Sequence, residues 1–356
     1  MNDNICDDDR ILLDRTFNSI PINEIQDVSK SRKVSKVMKY FKNAGTIISD
    51  RDILKKCDKI CKSTMHLKHL QNIPVVEQRS EEWYTLRQSL ITASDYGQAL
   101  GKGKFGTKRD FYIKKCGYQE EPPLDTSILK HGVRYEPVAT RFYEKLLNTV
   151  VHEFGLIRHP ALDFLGASPD GIDAHGQKCI EIKCPAKRKI TGEIADQYFR
   201  QIQGQLDVLN LMECDFLECK FDEYLDDIDF DEDWDDDGKL SKEGFQKGVV
   251  IEVEGIQNPV YSDVGLSKSE FKMWFKRTVI QFHDKEFDVI YYRLSQYSLQ
   301  TIKRDDEYIK EMNQQLAETW KNIVKYKQNK TMYDDEIGYK APPKRRPVKC
   351  LFKDVD

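Results

Sequence analysis

From Gly166 to Cys184 the chain reads GASPDGIDAHGQKCIEIKC, which places two carboxylates and an ammonium where they could act together. Asp170 follows Pro169, and Glu181 of the triplet Glu181-Ile182-Lys183 lies eleven residues later. The run Asp163–Ser168 ahead of the aspartate is largely apolar, and Gly171 behind it permits a turn. Cys179–Lys183 alternates as a strand should, and side chains two apart on a strand share a face. Glu181 and Lys183 are therefore expected to point the same way. A hairpin that sets Asp170 beside Glu181 would make a paired-carboxylate site with an ammonium next to it. That set suits phosphodiester hydrolysis. Two hard oxygen ligands hold Mg²⁺ with several waters retained, the cation polarises a phosphate and acidifies water, and Lys183 orients that water or neutralises charge on the phosphorane. A lone E-x-K triplet in so charged a chain reads as a solvated pair; the Pro-Asp at this distance and the apolar flanks carry the functional reading.

The elements that must position these residues alternate in type. Helices are expected at 80–89, 93–101, 107–116 and 126–147. Short strands are expected near 151–158, 162–168 and 178–183. A helix at 193–210, a strand at 214–222, an acidic stretch, a strand at 248–253 and a helix near 267–284 come next. An apolar stretch at 287–294 and a long helix at 304–328 complete the order, which is that of a mixed α/β domain. Ahead of it, residues 1–29 are polar and expected to be loosely held. Residues 30–70 carry twelve Lys/Arg against three Asp and are expected to form helices at 33–43 and 50–62, broken at Asn43-Ala44-Gly45. This basic segment is either a solvated helical extension or a DNA-contacting arm. The expected division is a basic, partly helical extension at 1–77, joined through Asn72-Ile73-Pro74 to a main domain at 78–330. An acidic insertion at about 222–247 interrupts that domain, and a basic, proline-containing tail occupies 331–356.

With 39% hydrophobic residues among 356, the chain can bury a core. No run approaches the roughly 20 apolar residues of a membrane span, and the acidic start MNDNICDDDR lacks an apolar signal core. The expectation is an intracellular protein, neither secreted nor membrane-bound. Nine scattered cysteines read as reduced thiols. Cys57-x₃-Cys61 followed by His66 and His69 is too tightly spaced for a zinc finger and suits helix packing. Asp222 to Asp237 holds eleven Asp/Glu and no Lys/Arg. Its end, Asp233-x-Asp235-x-Asp237-Gly238, begins like a calcium loop, but loop position 12 is Gly244 instead of Glu, so a solvated insertion is expected. The stretch Ala341–Pro347 reads as a solvated tail. The net charge of -4 is thus the sum of a basic arm, an acidic insertion and a nearly balanced remainder.

Ser168-Pro169-Asp170-Gly171 followed by Glu181-Ile182-Lys183-Cys184-Pro185 resembles the PD-(D/E)xK nucleases, and within them the phage lambda exonuclease or YqaJ-like viral recombinase family, as represented in large DNA viruses. Four more blocks resemble that family in order: Trp83-x₃-Arg87 with Ile91-Thr92-Ala93-Ser94, Gly132-x₃-Glu136 with Ala139 and Phe142, Tyr198-x₂-Gln201-x-Gln203, and the run from Val289 to Tyr326 with Trp320. Together they cover about residues 78–328. The basic segment 30–70 departs from the compact phage enzyme.

The resemblance implies an α/β, restriction-endonuclease-like core: a central mixed sheet flanked by helices. It implies that Asp170, Glu181, the Ile182 carbonyl and Glu136 ligate Mg²⁺, with Mn²⁺ as a substitute. Lys183 would act on the nucleophilic water, and Gln201 would hold that water or the nearby phosphate. Arg87, Thr92, Ser94 and Ser168 would form a pocket for a terminal 5′-phosphate, for which a guanidinium and small hydroxyls are suited. The implied activity is a 5′-to-3′ exonuclease on double-stranded DNA ends, serving recombination, repair or replication. The implied partners are 5′-phosphorylated duplex, a homotrimer and a single-strand annealing protein, in host cytoplasm or nucleus for a viral chain. The alternatives are a structure-specific endonuclease of the same fold and a catalytically inactive DNA-binding module.

Overall fold

The strand Lys178–Lys183 is buried at five of its six positions, so both of its faces are covered. The even positions Ile180 and Ile182 join a cluster with Tyr135, Val138, Ala139 and Phe142 of one helix. Cys179, on the odd face, packs with Ile202, Leu206 and Leu209 of another. A strand sandwiched between helices is buried on both sides because each helix brings its own apolar stripe.

The computed structural model describes residues 7–74, 76, 80–103, 106–118 and 126–338. The tail 341–347, Cys6 and Cys350 lie outside the described residues. Four helices come first: α1 (Asp8–Asn18), α2 (Ile22–Ser31), α3 (Ser35–Ala44) and α4 (Asp50–Gln71). Then follow α5 (Glu81–Gln88), β1 (Ile91–Thr92), a 3₁₀ turn (Ala93–Asp95), α6 (Tyr96–Ala99), α7 (Lys108–Cys116) and α8 (Thr126–Leu147). The centre of the chain is β2 (Val151–His152), β3 (Ile157–Arg158), β4 (Leu165–Ala167), β5 (Gly171–Asp173), β6 (Lys178–Lys183), α9 (Asp196–Leu209) and β7 (Glu213–Glu223). It ends with α10 (Asp227–Glu232), β8 (Gln246–Val253), β9 (Val260–Tyr261), α11 (Lys268–Gln281), β10 (Phe287–Lys303), α12 (Asp306–Gln328) and α13 (Lys330–Glu336).

The main sheet has the order β2-β5-β6-β7-β10-β8-β9, and a small second sheet has the order β1-β4-β3. Only β6 and β7 run parallel in the main sheet, with α9 as their crossover. The expected restriction-endonuclease-like α/β core, a mixed sheet flanked by helices, is therefore what the chain forms. Gly204, midway along α9, lets the ring of Tyr96 lie against the helix backbone; a Cβ there would collide with that ring. Among the described residues no helix is long and apolar enough to cross a membrane.

Several expectations are corrected. Residues 8–31 are two helices, not a loose lead: Phe17, Ile20, Ile25 and Val28 bury against Val37, Phe41, Ile53, Cys57 and Ile60 as one apolar cluster. α4 runs nine residues beyond its expected end at 62, because Leu67 and Leu70 carry its apolar stripe onto the α9 side of the sheet. Cys57 is buried in the helical cluster, while Nε2 of His66 contacts the Leu209 carbonyl oxygen at 2.7 Å. The apolar stretch at 287–294 is the first half of a seventeen-residue strand that bridges β8 and β7. Gly171 makes no turn. It starts β5, and a side chain there would strike Val151; the hairpin turns instead at Gly176, whose φ is +66°.

The acidic insertion is folded as well. Phe230 and Trp234 bury against Val249, Ile251 and Phe271. The ammonium of Lys247 sits 4.3 Å from the Phe230 ring and 4.4 Å from the Trp234 ring, and donates to the Phe230 and Asp233 carbonyls. Asp233 and Glu243 face the Arg293 guanidinium at 3.6 and 2.9 Å, so protein cations answer the carboxylates of the calcium-like segment.

Candidate active site

Antiparallel pairing of β5 with β6 sets Gly171 opposite Ile180 and so delivers Asp170 to the strand that carries Glu181. The Asp170 N–H donates to the Ile180 carbonyl at 3.2 Å, and the Ile182 N–H donates to Asp170 Oδ2 at 2.6 Å. Glu181 is fully buried and faces α9. Its Oε1 accepts from Lys183 and from Gln201 (2.7 Å), and its Oε2 accepts from Gln205 (2.6 Å). Glu136 comes from α8 and lines a cavity of about 510 Å³ with Ile182, Lys183, Cys184 and Tyr198. The Lys183 ammonium stands 5.5 Å from the Tyr198 ring centre, and the Arg188 guanidinium stands 5.5 Å from the same ring.

Lys187 and Arg188 also line this cavity. Burial pushes the Asp170 carboxyl well above the usual carboxylate range, and the negative charges of Glu181 and Glu136 push it further; Lys183 and the Ile182 N–H oppose them. Burial works against the charge of Lys183, but Glu181 and Asp170 more than offset it and hold the ammonium above the usual lysine range. Asp170 and Glu181 thus share the Lys183 ammonium. Hard, clustered carboxylate oxygens fit a Mg²⁺ ion, which takes one or two carboxylates and keeps waters. Glu181 Oε2 also retains a lone pair, since an ionised carboxylate oxygen has about two acceptor positions and only Gln205 uses one. Among the described residues no group of three or more His, Cys, Asp or Glu side chains stands in metal-holding array, so backbone and water must complete any shell.

The other candidate residues gather at the small sheet. Parallel β1 and β4 pair Thr92 with Gly166, so the segments leading to Ser94 and Ser168 leave the sheet from the same end. Arg87 Nη2 donates to Ser94 Oγ at 3.2 Å, and its guanidinium lies 4.6 Å from the Trp83 ring centre. Ser94 is exposed. Thr92 is buried, and its hydroxyl donates to Asp95 at 2.9 Å, which leaves it a supporting position. Asp95 is buried, which raises its pKa, but Lys115 (2.9 Å), Lys114 (3.2 Å) and Arg87 (3.9 Å) hold it well below the usual carboxylate range. Here cations outnumber the carboxylate three to one.

Two further glutamines of α9 receive their places only from the structure. Gln203 turns away from the site: its amide donates to the Lys303 carbonyl at 2.8 Å and its oxygen accepts the Asp305 N–H at 2.9 Å, clamping β10 to α12. Gln205 was missed. The signal that finds it is helical spacing, since positions four apart share a face and Gln201 already points at Glu181.

Residues 82–211 match the model of the YqaJ-like viral recombinase domain. Over those residues, about a third of the chain, this protein is similar to that domain family. The matched span takes in Arg87, Glu136, Asp170, Glu181, Lys183 and Gln201, with both sheet ends that carry the two charge clusters. An uncharacterized protein of Acanthamoeba polyphaga mimivirus is 28% identical over 331 residues, which cover 81% of this chain and 60% of that protein. The chain thus spans less than two thirds of the length of that curated relative. Among solved structures, an alkaline exonuclease from Laribacter hongkongensis is 20% identical, covers 72% of this chain and all of its own, and superposes with a TM-score of 0.45. A phage-related exonuclease from Haemophilus somnus is 12% identical over 70% of this chain and 98% of its own, with a TM-score of 0.41.

Proposed function

We propose that this chain is a Mg²⁺-dependent deoxyribonuclease acting as a 5′-to-3′ exonuclease on double-stranded DNA ends, in recombination, repair or replication. The observation that carries the reading is the meeting of Asp170, Glu181 and Lys183 at the end of β6, with Glu136 near enough for its charge to raise the Asp170 pKa. The ion would be held by Asp170, Glu181, Glu136 and the Ile182 carbonyl. When bound, it supplies charge neutralisation at the phosphate and acidification of water. Lys183 keeps its proton at Nζ and donates to the attacking water or to a phosphate oxygen as negative charge develops there. Gln201 holds the buried carboxylate from one side, and its remaining N–H would help hold the water or the nearby phosphate. Arg87 and the Ser94 hydroxyl bind a terminal phosphate, with Lys114 and Lys115 supplying positive field behind them.

Polarity follows from two separated sites, one gripping an end and one cutting. The partners in this reading are 5′-phosphorylated duplex ends and, by family, further copies of the chain in a trimer and a single-strand annealing protein. The test uses linear duplex with and without 5′-phosphate beside a closed circle, each with Mg²⁺ or EDTA. Rapid loss of the phosphorylated linear duplex alone, and only with Mg²⁺, is expected. Cutting of the closed circle would turn the reading to an endonuclease, and full activity of Asp170→Ala would remove the site.

A further inference from the structure

We propose that Gln205 is a positioning residue that sets which lone pair of Glu181 faces a divalent cation, a role that rests on the nuclease reading above. Gln201 and Gln205 lie one helical turn apart on α9 and both reach Glu181, one from each side of its carboxylate. Oε1 already accepts two donors, Lys183 and Gln201, whereas Oε2 accepts Gln205 alone. The free lone pair is therefore on Oε2, and its direction is set by where the Gln205 amide sits. One donor on each oxygen also stops the carboxylate from turning about its terminal bond, which is otherwise a soft torsion.

The second observation is the state of Gln205 itself. It is fully buried, and its own Oε1 has no hydrogen-bond partner. Its helix neighbours Ile202 and Leu206 belong to an apolar cluster, where an aliphatic side chain would pack without leaving a carbonyl unanswered. Flipping the amide would set its oxygen against Glu181 and repel it, so the N–H₂ group is locked onto the carboxylate. A buried glutamine with half its capacity unused is poorly explained by packing. It is well explained by the donor it brings to a ligand, as partners behind ligating carboxylates commonly tune metal affinity.

The test titrates the full chain, without nucleic acid, with Mn²⁺ in a calorimeter, comparing wild type with Gln205→Met and Gln205→Leu. Thermal melting is recorded in parallel. Either substitution is expected to weaken Mn²⁺ binding about 10-fold or more, while melting stays at or above the wild-type temperature. In the nuclease assay the Mg²⁺ concentration for half-maximal rate should rise by a similar factor. Gln203→Met on the same helix should do the reverse, lowering the melting temperature with Mn²⁺ affinity unchanged. If wild type binds Mn²⁺ and both Gln205 variants bind it equally well, the role of Gln205 is overturned and the nuclease reading stands. If wild type binds no divalent ion, the metal-dependent reading itself falls.

Discussion

The two ends of β6 carry charge of opposite temper. At its start, Lys178 stands 2.7 Å from Asp14 and 3.2 Å from Asp215, while Arg10 reaches Asp215 at 3.0 Å and Lys56 reaches Asp14 at 3.2 Å. Tyr143 adds a donor to Asp215 at 2.9 Å. Each carboxylate there has at least two cations. At the other end Asp170, Glu181 and Glu136 have Lys183 between them. One strand, read from alternate faces, thus bears a saturated network at its start and a carboxylate–lysine cluster at its end. The first ties α1 and α4 to the sheet. The second gathers carboxylates of perturbed pKa beside a cavity, which is the mark of a site.

The comparison breaks most visibly through Asp170→Asn. Hydrolysis of linear duplex should fall on the order of 10³-fold, while the metal-free melting temperature rises, because a buried carboxyl crowded by like charge is gone. A drop in melting temperature would mean that Asp170 is structural. Lys178→Met should behave in the opposite sense. Stripping a cation from buried carboxylates should remove about 3–5 kcal/mol of stability, read by urea unfolding, and the molecules that stay folded should cleave at the wild-type rate.

Adding Mg²⁺ separates the two ends again. At 100 times its dissociation constant an ion that binds only the folded chain stabilises by about 2.7 kcal/mol. Wild type and Lys178→Met should show that gain in a melt, and Asp170→Asn should lose most of it. EDTA should abolish both the gain and the activity.

The saturated end also has a pH signature. Burial opposes ionisation of Asp14, but Lys178 and Lys56 hold its pKa below 3.8. Its stabilisation is therefore complete above that value and fades as pH falls through the lowered one. Burial likewise opposes the charge of Lys178, yet Asp215 and Asp14 raise its pKa above 10.5, so its contribution holds below 10.5 and is lost as pH rises through the raised value. The stability gap between wild type and Lys178→Met should stay level from about pH 5 to 9 and narrow in acid below 3.8. A gap that changes near neutrality would show that other groups hold the network. The smallest effect expected is that of Arg87→Ala, an about 10-fold loss of preference for 5′-phosphorylated over unphosphorylated ends, with Mn²⁺ affinity unchanged. That would sharpen the contrast with the cluster at Asp95, where the surplus is positive.

The meeting of Asp170, Glu181 and Lys183 was legible because strand alternation is local: Glu181 and Lys183 share a face by period two, and Asp170 needs only a hairpin to reach them. Helices α5, α7, α8, α9, α11 and α12 and strands β4, β6, β7 and β8 followed from patterning, whereas the strand expected at 151–158 divides into β2 and β3, which join different sheets. What failed were segments whose composition masked their periodicity. Residues 8–31 look polar by count, yet Phe17, Ile20, Ile25 and Val28 recur at helical intervals. Eleven acidic residues hid Phe230 and Trp234, which form the walls around Lys247. The second half of β10, from Ser295 to Lys303, alternates with polar residues that face carbonyls: Gln296 and Gln300 donate to Ile190 and Gly192, pinning the loop beyond β6. The saturated network was invisible in sequence because Arg10, Asp14, Lys56, Lys178 and Asp215 meet only in the folded chain.

Gly204 brings the segment that bears Asp95 close to the helix that holds Glu181. The bare backbone at that point seats Tyr96, the residue after Asp95, directly on the helix whose next residue holds Glu181. A methyl group at position 204 would push that ring, and the Asp95 segment behind it, off the helix that carries Gln201 and Gln205.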